Sequence, residues 1–268
     1  MIKAVKDFFF EEKIEYYSIL AYDDCNELRP DIIAREGFIP RSVIVFLLPY
    51  YAGETVNLSC YAASLDYHIA IKELTDALIS RLSLEFPDNH FRGYGDHSPI
   101  DERHAAVIAG LGIKGDSTLV INEKYGTYVF IADIVTDVPP ELLGAVPPQP
   151  VKTCSHCGAC RRACPTGILR SECDKCLSAI TQRKGDLDEN EVEIMRKFDT
   201  VWGCDVCQTV CPYNRNPQMT PVEFFHKDRI ECLTSATLSS LSDEEFKRRA
   251  FGWRGRKTVE RNLKELDY

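Results

Sequence analysis

The chain alternates between two kinds of apolar patterning. Ser42 to Leu48 (SVIVFLL) is β-branched and apolar with hardly a polar break, as expected of a strand buried on both faces. Tyr67, Ile71, Leu74, Leu78 and Leu82 recur at helical spacing instead, which predicts a long amphipathic helix from about Ser64 to Phe86. Pro99 precedes a second helix over roughly Asp101 to Ala109, which Gly110 and Gly112 are placed to end in a left-handed turn. Thr118 to Ile121 and Tyr128 to Val135 read as strands joined by a turn containing Gly126. Helices interleave with strands, so this part of the chain is expected to be α/β or α+β. Farther on, Ser242 and Glu245 form an S-x-x-E capping box ahead of Phe246, and a short helical C-terminus should follow.

Val138 to Pro150 breaks this pattern with five prolines in thirteen residues. Proline removes backbone donors and disfavours helix before it, so the stretch reads as a boundary. The expected organisation is a body over residues 1–140, a cysteine-rich module over 141–220 and a helical segment over 221–268.

Composition narrows the class. A hydrophobic fraction of 44% and a charged fraction of 27% in 268 residues are ordinary for a globular protein. The longest apolar run, Val43 to Leu48, is far too short to cross a bilayer, so a soluble, cytoplasmic protein without membrane contact is expected. The net charge of −9 argues against a generally basic nucleic-acid surface. Yet Lys247 to Lys264 carries eight Lys or Arg residues against Glu260 alone. Such a run either holds phosphates or is the solvated face of a helix, and the second reading is favoured.

The cysteines change the picture most. Cys154, Cys157, Cys160 and Cys164 form C-x2-C-x2-C-x3-C followed by Pro165; Cys204, Cys207 and Cys211 form C-x2-C-x3-C followed by Pro212. The first run is the bacterial ferredoxin pattern for a [4Fe–4S] cube, whose fourth cysteine serves the other cluster. Zinc ribbons use two pairs and rarely need a third cysteine or the terminal C-P step. No apolar stretch at the N-terminus resembles a signal peptide, so disulfides are less expected than metal binding. Crossing over as in ferredoxins, one cube takes Cys154, Cys157, Cys160 and Cys211. The other takes Cys164, Cys204, Cys207 and an intermediate cysteine, and spacing does not choose between Cys173 and Cys176. Cys25, Cys60 and Cys232 are isolated and read as ordinary buried thiols. Two cubes in one module imply an electron relay.

Four further segments carry a resemblance: Tyr61-Ala62 with Asp66-Tyr67-His68; Asp96-His97-Ser98-Pro99 through Glu102-Arg103 to Ala109-Gly110-Leu111-Gly112; Cys176-Leu177-Ser178-Ala179-Ile180-Thr181; and Gly203-Cys204-Asp205-Val206-Cys207-Gln208 to Cys211-Pro212. With these the chain resembles the epoxyqueuosine reductases, cobalamin-dependent iron–sulfur enzymes of queuosine synthesis in tRNA that are similar in architecture to the reductive dehalogenases. Arg261-Asn262-Leu263 also fits that pattern. The resemblance implies an α+β protein: a nitroreductase-like cobalamin-binding domain, a ferredoxin-like double [4Fe–4S] module and a short helical C-terminus. It implies Cys176 as the eighth cluster ligand and Asp96 as the proton-donating acid. It also implies cobalamin contacts at Tyr61, Asp96, Val120, Asn122, Ser178 and Asp205.

The implied activity is reduction of epoxyqueuosine in tRNA, with electrons from a low-potential donor such as ferredoxin or flavodoxin. Without the resemblance, Asp96 would read as a turn or capping residue. His68, His97 and His104 are assigned to no metal, and the adjacent Asp101 and Glu102 do not face one another on a helix. Three departures bear on the substrate. The chain stops at Tyr268 where family members usually continue into helical repeats, Asp116 replaces a lysine after Gly115, and Asp101 stands where an apolar residue is usual, with the N-terminal region also shortened. With the acidic net charge, these should weaken tRNA binding, although Lys184 and the C-terminal basic run offer compensation. The alternatives are a cobalamin-dependent reductase of a small molecule and a ferredoxin-like carrier serving a partner's corrinoid or flavin.

Overall fold

The computed structural model describes residues 2–169 and 172–268, in two compact units. The first comprises the chain up to Pro49, His68–Gly115 and Leu119–Ser155; the second comprises Tyr50–Tyr67, Asp116–Thr118 and His156–Tyr268. Mixed helix and sheet make the architecture α+β.

The first unit holds helices α1 (Lys3–Glu11), α2 (Pro30–Glu36), most of α3 (Tyr67–Glu85), α4 (Glu102–Ile108) and α5 (Pro140–Leu143). Its strands are β1 (Tyr17–Ala21), β2 (Ser42–Pro49), β3 (Phe91–Gly95), β4 (Ile113–Lys114), β5 (Val120–Ile121) and β6 (Val129–Thr136). Four of them form an antiparallel sheet in the order β1-β2-β6-β3. Every residue of β2 is buried, as its unbroken apolar run predicted. The alternation of side chains across the sheet explains why. Val43, Val45 and Leu47 pack with Ala105 and Ala106 of α4, while Phe46 meets Phe9 of α1 at 5.1 Å between ring centroids.

The long helix starts at Tyr67, three residues later than its periodicity suggested, because Cys60–Ala62 forms a short 3-10 turn ahead of it. Helix α4 lies where it was expected, with the Asp101 carboxylate accepting from the His104 N–H at 3.0 Å as N-cap. The two strands expected on either side of Gly126 are present and joined by a turn that contains it, but they pair with different partners. Strand β5 pairs with β4, and β6 joins the larger sheet. Asn122 redirects the chain between them: its Oδ1 accepts from the N–H groups of Lys124 and Tyr125, both at 3.0 Å. This local side-chain-to-backbone turn outcompetes continuation of a ladder.

Glycines let α3 approach the sheet closely. A Cβ on Gly93 would sit 2.5 Å from the Thr75 Cβ, and one on Gly95 would sit 2.8 Å from the Ile71 Cδ1. Strand β3 ends at Gly95, immediately before Asp96.

The second unit contains α6 (Ala159–Ala163), α7 (Leu177–Gln182), α8 (Glu189–Lys197), α9 (Val206–Thr209), α10 (Ser235–Ser240), α11 (Asp243–Lys247) and α12 (Arg256–Glu265). Its core centres on Trp202, which is fully buried among Leu58, Leu238, Phe251 and Val259. The Ser242–Glu245 capping box opens α11 as predicted. Part of the basic C-terminal run turns inward, contrary to the favoured solvated-face reading. Arg249 donates to the Asp228 carbonyl, Arg256 donates to the carbonyls of Leu238 and Leu241 at 2.7 and 2.9 Å, and Arg261 donates to that of Arg183 at 2.7 Å. These guanidinium groups tie together loops and helix ends of the second unit. Among the described residues, no helix is long and apolar enough to cross a membrane.

Candidate functional site

The sulfur-bearing residues of the second unit sit on turns that only particular backbone conformations permit. His156 and Gly158 flank Cys157 with φ of 53° and 73°, and Gly203 precedes Cys204 with φ of 79°. A Cβ on Gly203 would meet Ser59 Cβ at 2.4 Å, so this position needs glycine both for its backbone and for space. Short helices follow the cysteine turns, and α6 packs against α9. Burial, followed among the upward influences by the charges of Asp116 and Cys211, pushes the Cys160 thiol up. Burial, and then the neighbouring charges of Cys207, Cys176 and Asp205, push the Cys204 thiol up to about 12.

Cys164 behaves differently. Burial alone would raise its thiol, but N–H donors from Leu169, Thr166 and Gly167 and the Thr166 hydroxyl hold it below the usual value. The Leu169 N–H lies 3.3 Å from its Sγ. Donors aimed at sulfur stabilise thiolate and tune a cluster's potential. The described cysteine side chains are free thiols. A soft sulfur donor set on tight turns, with N–H groups facing a sulfur, fits iron–sulfur cubes. The backbone N–H of Cys154, in the first unit, donates to the Lys114 carbonyl at 3.0 Å. The side chain of Cys173 lies outside the described residues.

Three predicted cofactor contacts of this unit share one hydrogen-bonded neighbourhood. The Tyr61 hydroxyl accepts from Trp202 Nε1 at 3.1 Å and from Gln182 Nε2 at 3.4 Å. Gln182 also donates to the Ser178 hydroxyl at 3.1 Å. Asp205 is the most heavily engaged. Its Oδ1 accepts from the Ser59 hydroxyl at 2.5 Å and Gln208 Nε2 at 2.8 Å, and its Oδ2 accepts from the Cys60 N–H at 2.6 Å. That carboxylate pins the 59–60 segment. The Asp116 carboxylate, standing where the family pattern has lysine, meets His156 Nδ1 at 2.7 Å.

In the first unit, Asp96 follows β3 with φ of 64°, a left-handed conformation that aspartate tolerates better than most residues. Its carboxylate is half exposed and lies 3.6 Å from His68 Nε2, at the start of α3. The loop is held from below. Arg29 Nη1 donates to the Ser98 carbonyl, and the Pro99 carbonyl accepts from the N–H groups of Leu28 and Arg29 at 2.8 and 2.9 Å. Ser98 is fully buried and its hydroxyl donates to Asp133 Oδ1 at 3.0 Å. Val120 is buried. Asn122 is buried too, and both ends of its amide are committed, Nδ2 to the Leu111 carbonyl at 2.8 Å and Oδ1 to its own turn. For a bound corrin, Asp96, Tyr61 and Ser178 have polar side chains with some exposure, whereas Asn122 and Asp205 have side chains already engaged within the protein.

Residues 153–214 match the family model described as a 4Fe-4S double cluster binding domain. An epoxyqueuosine reductase from Listeria monocytogenes is 30% identical over 255 residues, covering 87% of this chain and 64% of that protein. One from Cyclobacterium marinum is 31% identical over 78% of this chain and 71% of that protein. The chain belongs to the epoxyqueuosine reductase family. A solved epoxyqueuosine reductase bound to an epoxyqueuosine-modified tRNA-Tyr stem loop superposes with a TM-score of 0.77 at 21% identity, over 98% of this chain and 80% of that one. The fold is therefore shared along nearly the whole chain. The chain spans 64%, 52% and 56% of the length of the first three curated epoxyqueuosine reductases matched.

Within this family frame, two site features escape the sequence reading. His68 beside Asp96 is one; only the Asp-Tyr-His segment hinted at it. The other is a buried carboxyl cluster. Asp133 is completely buried on the central strand β6, and its Oδ2 has no hydrogen-bond partner. Glu102, set aside as merely adjacent to Asp101, likewise buries an unpartnered Oε2. The available signal was an acid inside the apolar run Phe130-Ile131-Ala132-Asp133-Ile134-Val135.

Proposed function

We propose that this protein is a cobalamin-dependent iron–sulfur reductase that converts epoxyqueuosine in tRNA to queuosine. The observation that carries the reading is the match of residues 153–214 to a 4Fe-4S double cluster binding domain, with α6 of the first cysteine run packed against α9 of the second. That packing of the two runs supports one cube on Cys154, Cys157, Cys160 and Cys211 and a second on Cys164, Cys176, Cys204 and Cys207. Cobalamin, when bound, supplies a strongly reducing metal centre. Two electrons and two protons convert the epoxide to a carbon–carbon double bond and water.

The chain's own residues handle placement and protons. Asp96, catalytic in this reading, presents a half-exposed carboxyl able to deliver a proton to the departing oxygen. Tyr61 and Ser178 would offer hydroxyl groups to the corrin, Val120, Asn122 and Asp205 would offer mainly backbone, and Asp96 would offer its carboxyl. A tRNA substrate is supported by the solved relative that holds an epoxyqueuosine-modified stem loop. In this reading the protein works in the cytoplasm and draws electrons from a donor of the ferredoxin or flavodoxin class.

The test is anaerobic purification with metal, sulfide and corrinoid analysis, followed by incubation with an epoxyqueuosine-containing tRNA stem loop and nucleoside mass spectrometry. About eight irons per chain, one bound corrinoid and conversion to queuosine are expected. Colourless protein carrying zinc would overturn the cluster assignment. Iron-loaded, corrinoid-bound protein that leaves the nucleoside untouched would overturn the substrate.

A further inference from the structure

Not all of the C-terminal basic run turns inward. Lys247 and Arg248 close α11, Lys257 stands in the first turn of α12, and all three side chains are exposed. Between these helices lies the short 3-10 turn Gly252–Arg254, which carries Trp253. The turn is held tightly. The Gly252 N–H donates to the Arg249 carbonyl at 2.8 Å, and a Cβ on Gly252 would sit 3.1 Å from the Lys247 Cα. On its far side the Arg256 guanidinium lies 4.6 Å over the Phe246 ring, which joins the start of α12 to α11. Lys247, Arg248, Trp253, Arg254 and Lys257 are thereby gathered where the two helices meet.

Trp253 faces outward although its neighbours do not. Ala250, Phe251 and Gly252 are buried, and so is Trp202 at the centre of this unit, whereas Trp253 keeps 58% of its surface exposed. The Arg254 guanidinium lies 3.7 Å over the Trp253 ring, so a cation backs one face and the exposure belongs to the other face and the edges. Arg254 Nε is buried without a hydrogen bond, which leaves stacking on the indole to orient this group.

A flat ring backed by a guanidinium and flanked by lysines suits the unstacked base of a single-stranded RNA loop. The base lies on the open face, and the cations meet the phosphates on either side of it. Nearby acids do not cancel the charge. Asp243 meets Arg256 at 3.4 Å and Glu245 caps its own helix, which leaves Glu244 and Glu260 against Lys247, Arg248, Arg254 and Lys257. An acidic protein would meet the same cations, but the exposed stacked ring favours a nucleobase.

We propose that Trp253 and Arg254, with Lys247, Arg248 and Lys257, form a docking surface for single-stranded loop nucleotides of the RNA substrate. This rests on the tRNA reading above and adds to it residues that touch RNA and not the cofactor.

The test is fluorescence anisotropy of a dye-labelled, epoxyqueuosine-modified tRNA-Tyr stem loop with anaerobically prepared, cofactor-loaded protein. Trp253→Ala should weaken binding roughly tenfold, as expected for one lost base–aromatic stack, while Trp253→Phe keeps a stacking face and most of the affinity. Lys247→Ala/Lys257→Ala should reduce the slope of log Kd against log salt by about 1.4, at about 0.7 for each single-strand phosphate contact. A fully paired duplex should lose nothing in Trp253→Ala, because its bases stay stacked. Iron and corrinoid contents equal to those of the unaltered protein verify that each variant is folded. No measurable stem-loop binding by the unaltered protein, affinity unchanged within about twofold in Trp253→Ala, or an equal loss for the duplex would overturn the proposal. So would a Trp253→Ala protein that binds the stem loop normally but takes electrons slowly from reduced flavodoxin, which would give the surface to an acidic protein. If Trp253→Ala weakens stem-loop binding while the unaltered protein leaves epoxyqueuosine unreduced, the surface stands and the substrate reading fails. If both proteins reduce it with the same KM, the surface fails and the reading stands.

Discussion

Replacing Asp205 by asparagine probes the second unit most directly. The carboxylate accepts three hydrogen bonds, from Ser59, Gln208 and the Cys60 N–H. Asparagine offers one carbonyl oxygen. If that oxygen keeps Ser59 and Gln208, its NH2 faces the Cys60 N–H, donor against donor. A buried donor left without a partner costs about 1–3 kcal/mol, and the charge-assisted character of the lost bond adds to this. A local penalty of about 3 kcal/mol follows, equivalent to a roughly hundredfold change in an opening equilibrium. The assay is amide hydrogen exchange at Cys60 in cluster-loaded protein under anaerobic conditions. Exchange should accelerate on the order of a hundredfold, with far smaller changes in β2 and β6. The Cys60 thiol gives a second readout. Burial, and after it the charge of Asp205, push it up to about 12, so it should ionise at lower pH in the variant. Cys60 exchange unchanged within about threefold would refute the view that Asp205 pins this segment.

Three other outcomes are expected. Cys176→Ala should lose one of two cube signals in electron paramagnetic resonance while Cys173→Ala retains both; the opposite result would reverse the choice of eighth ligand. Gly93→Ala places a methyl 2.5 Å from the Thr75 Cβ and should destabilise the first unit by about 1–3 kcal/mol, read as lost protection of β3 amides. The first unit should also lose stability as the pH rises from about 4 to 8. Asp133 lies above its ordinary value of 3.8, at about 7, so the unfolded chain releases its proton first and the folded state is progressively disfavoured. Roughly three units at about 1.4 kcal/mol each give about 4 kcal/mol, and Asp133→Asn should flatten the trend in β6 amide protection.

The main elements were legible because burial leaves periodic traces. The uninterrupted run in β2 announced a strand covered on both sides, and the spacing of Ile71, Leu78 and Leu82 announced α3. The partner of β5 was not legible. Which strand a two-residue segment joins depends on tertiary context, and Asn122 decided it through a turn whose hydrogen bonds no hydrophobic period reports. The direction of the C-terminal arginines was hidden for a similar reason. Arg256 and Arg261 lie in a run that reads as solvated, yet their planar donors find carbonyls on loops and helix ends far along the chain.

Sulfur and carboxyl chemistry differ in how far they can be read from a linear sequence. A cube needs several thiolates within one tight turn, so short spacing alone exposes Cys154 to Cys164 and Cys204 to Cys211 as a ligand set. A carboxyl acquires unusual proton affinity only from what surrounds it, and those surroundings come from distant segments. Asp133 owes its burial to β2 and α4, its one donor to Ser98, and its acidic neighbour to the first turn of α4. None of those partners is within twenty residues of it in sequence. An acid in the middle of an apolar strand is nevertheless costly enough to be a signal, because a fold that keeps one there must either neutralise it or charge it for a purpose. In this protein Asp133, fully buried with Oδ2 unpartnered, is the residue that bears that cost, and burial pushes it toward the neutral form.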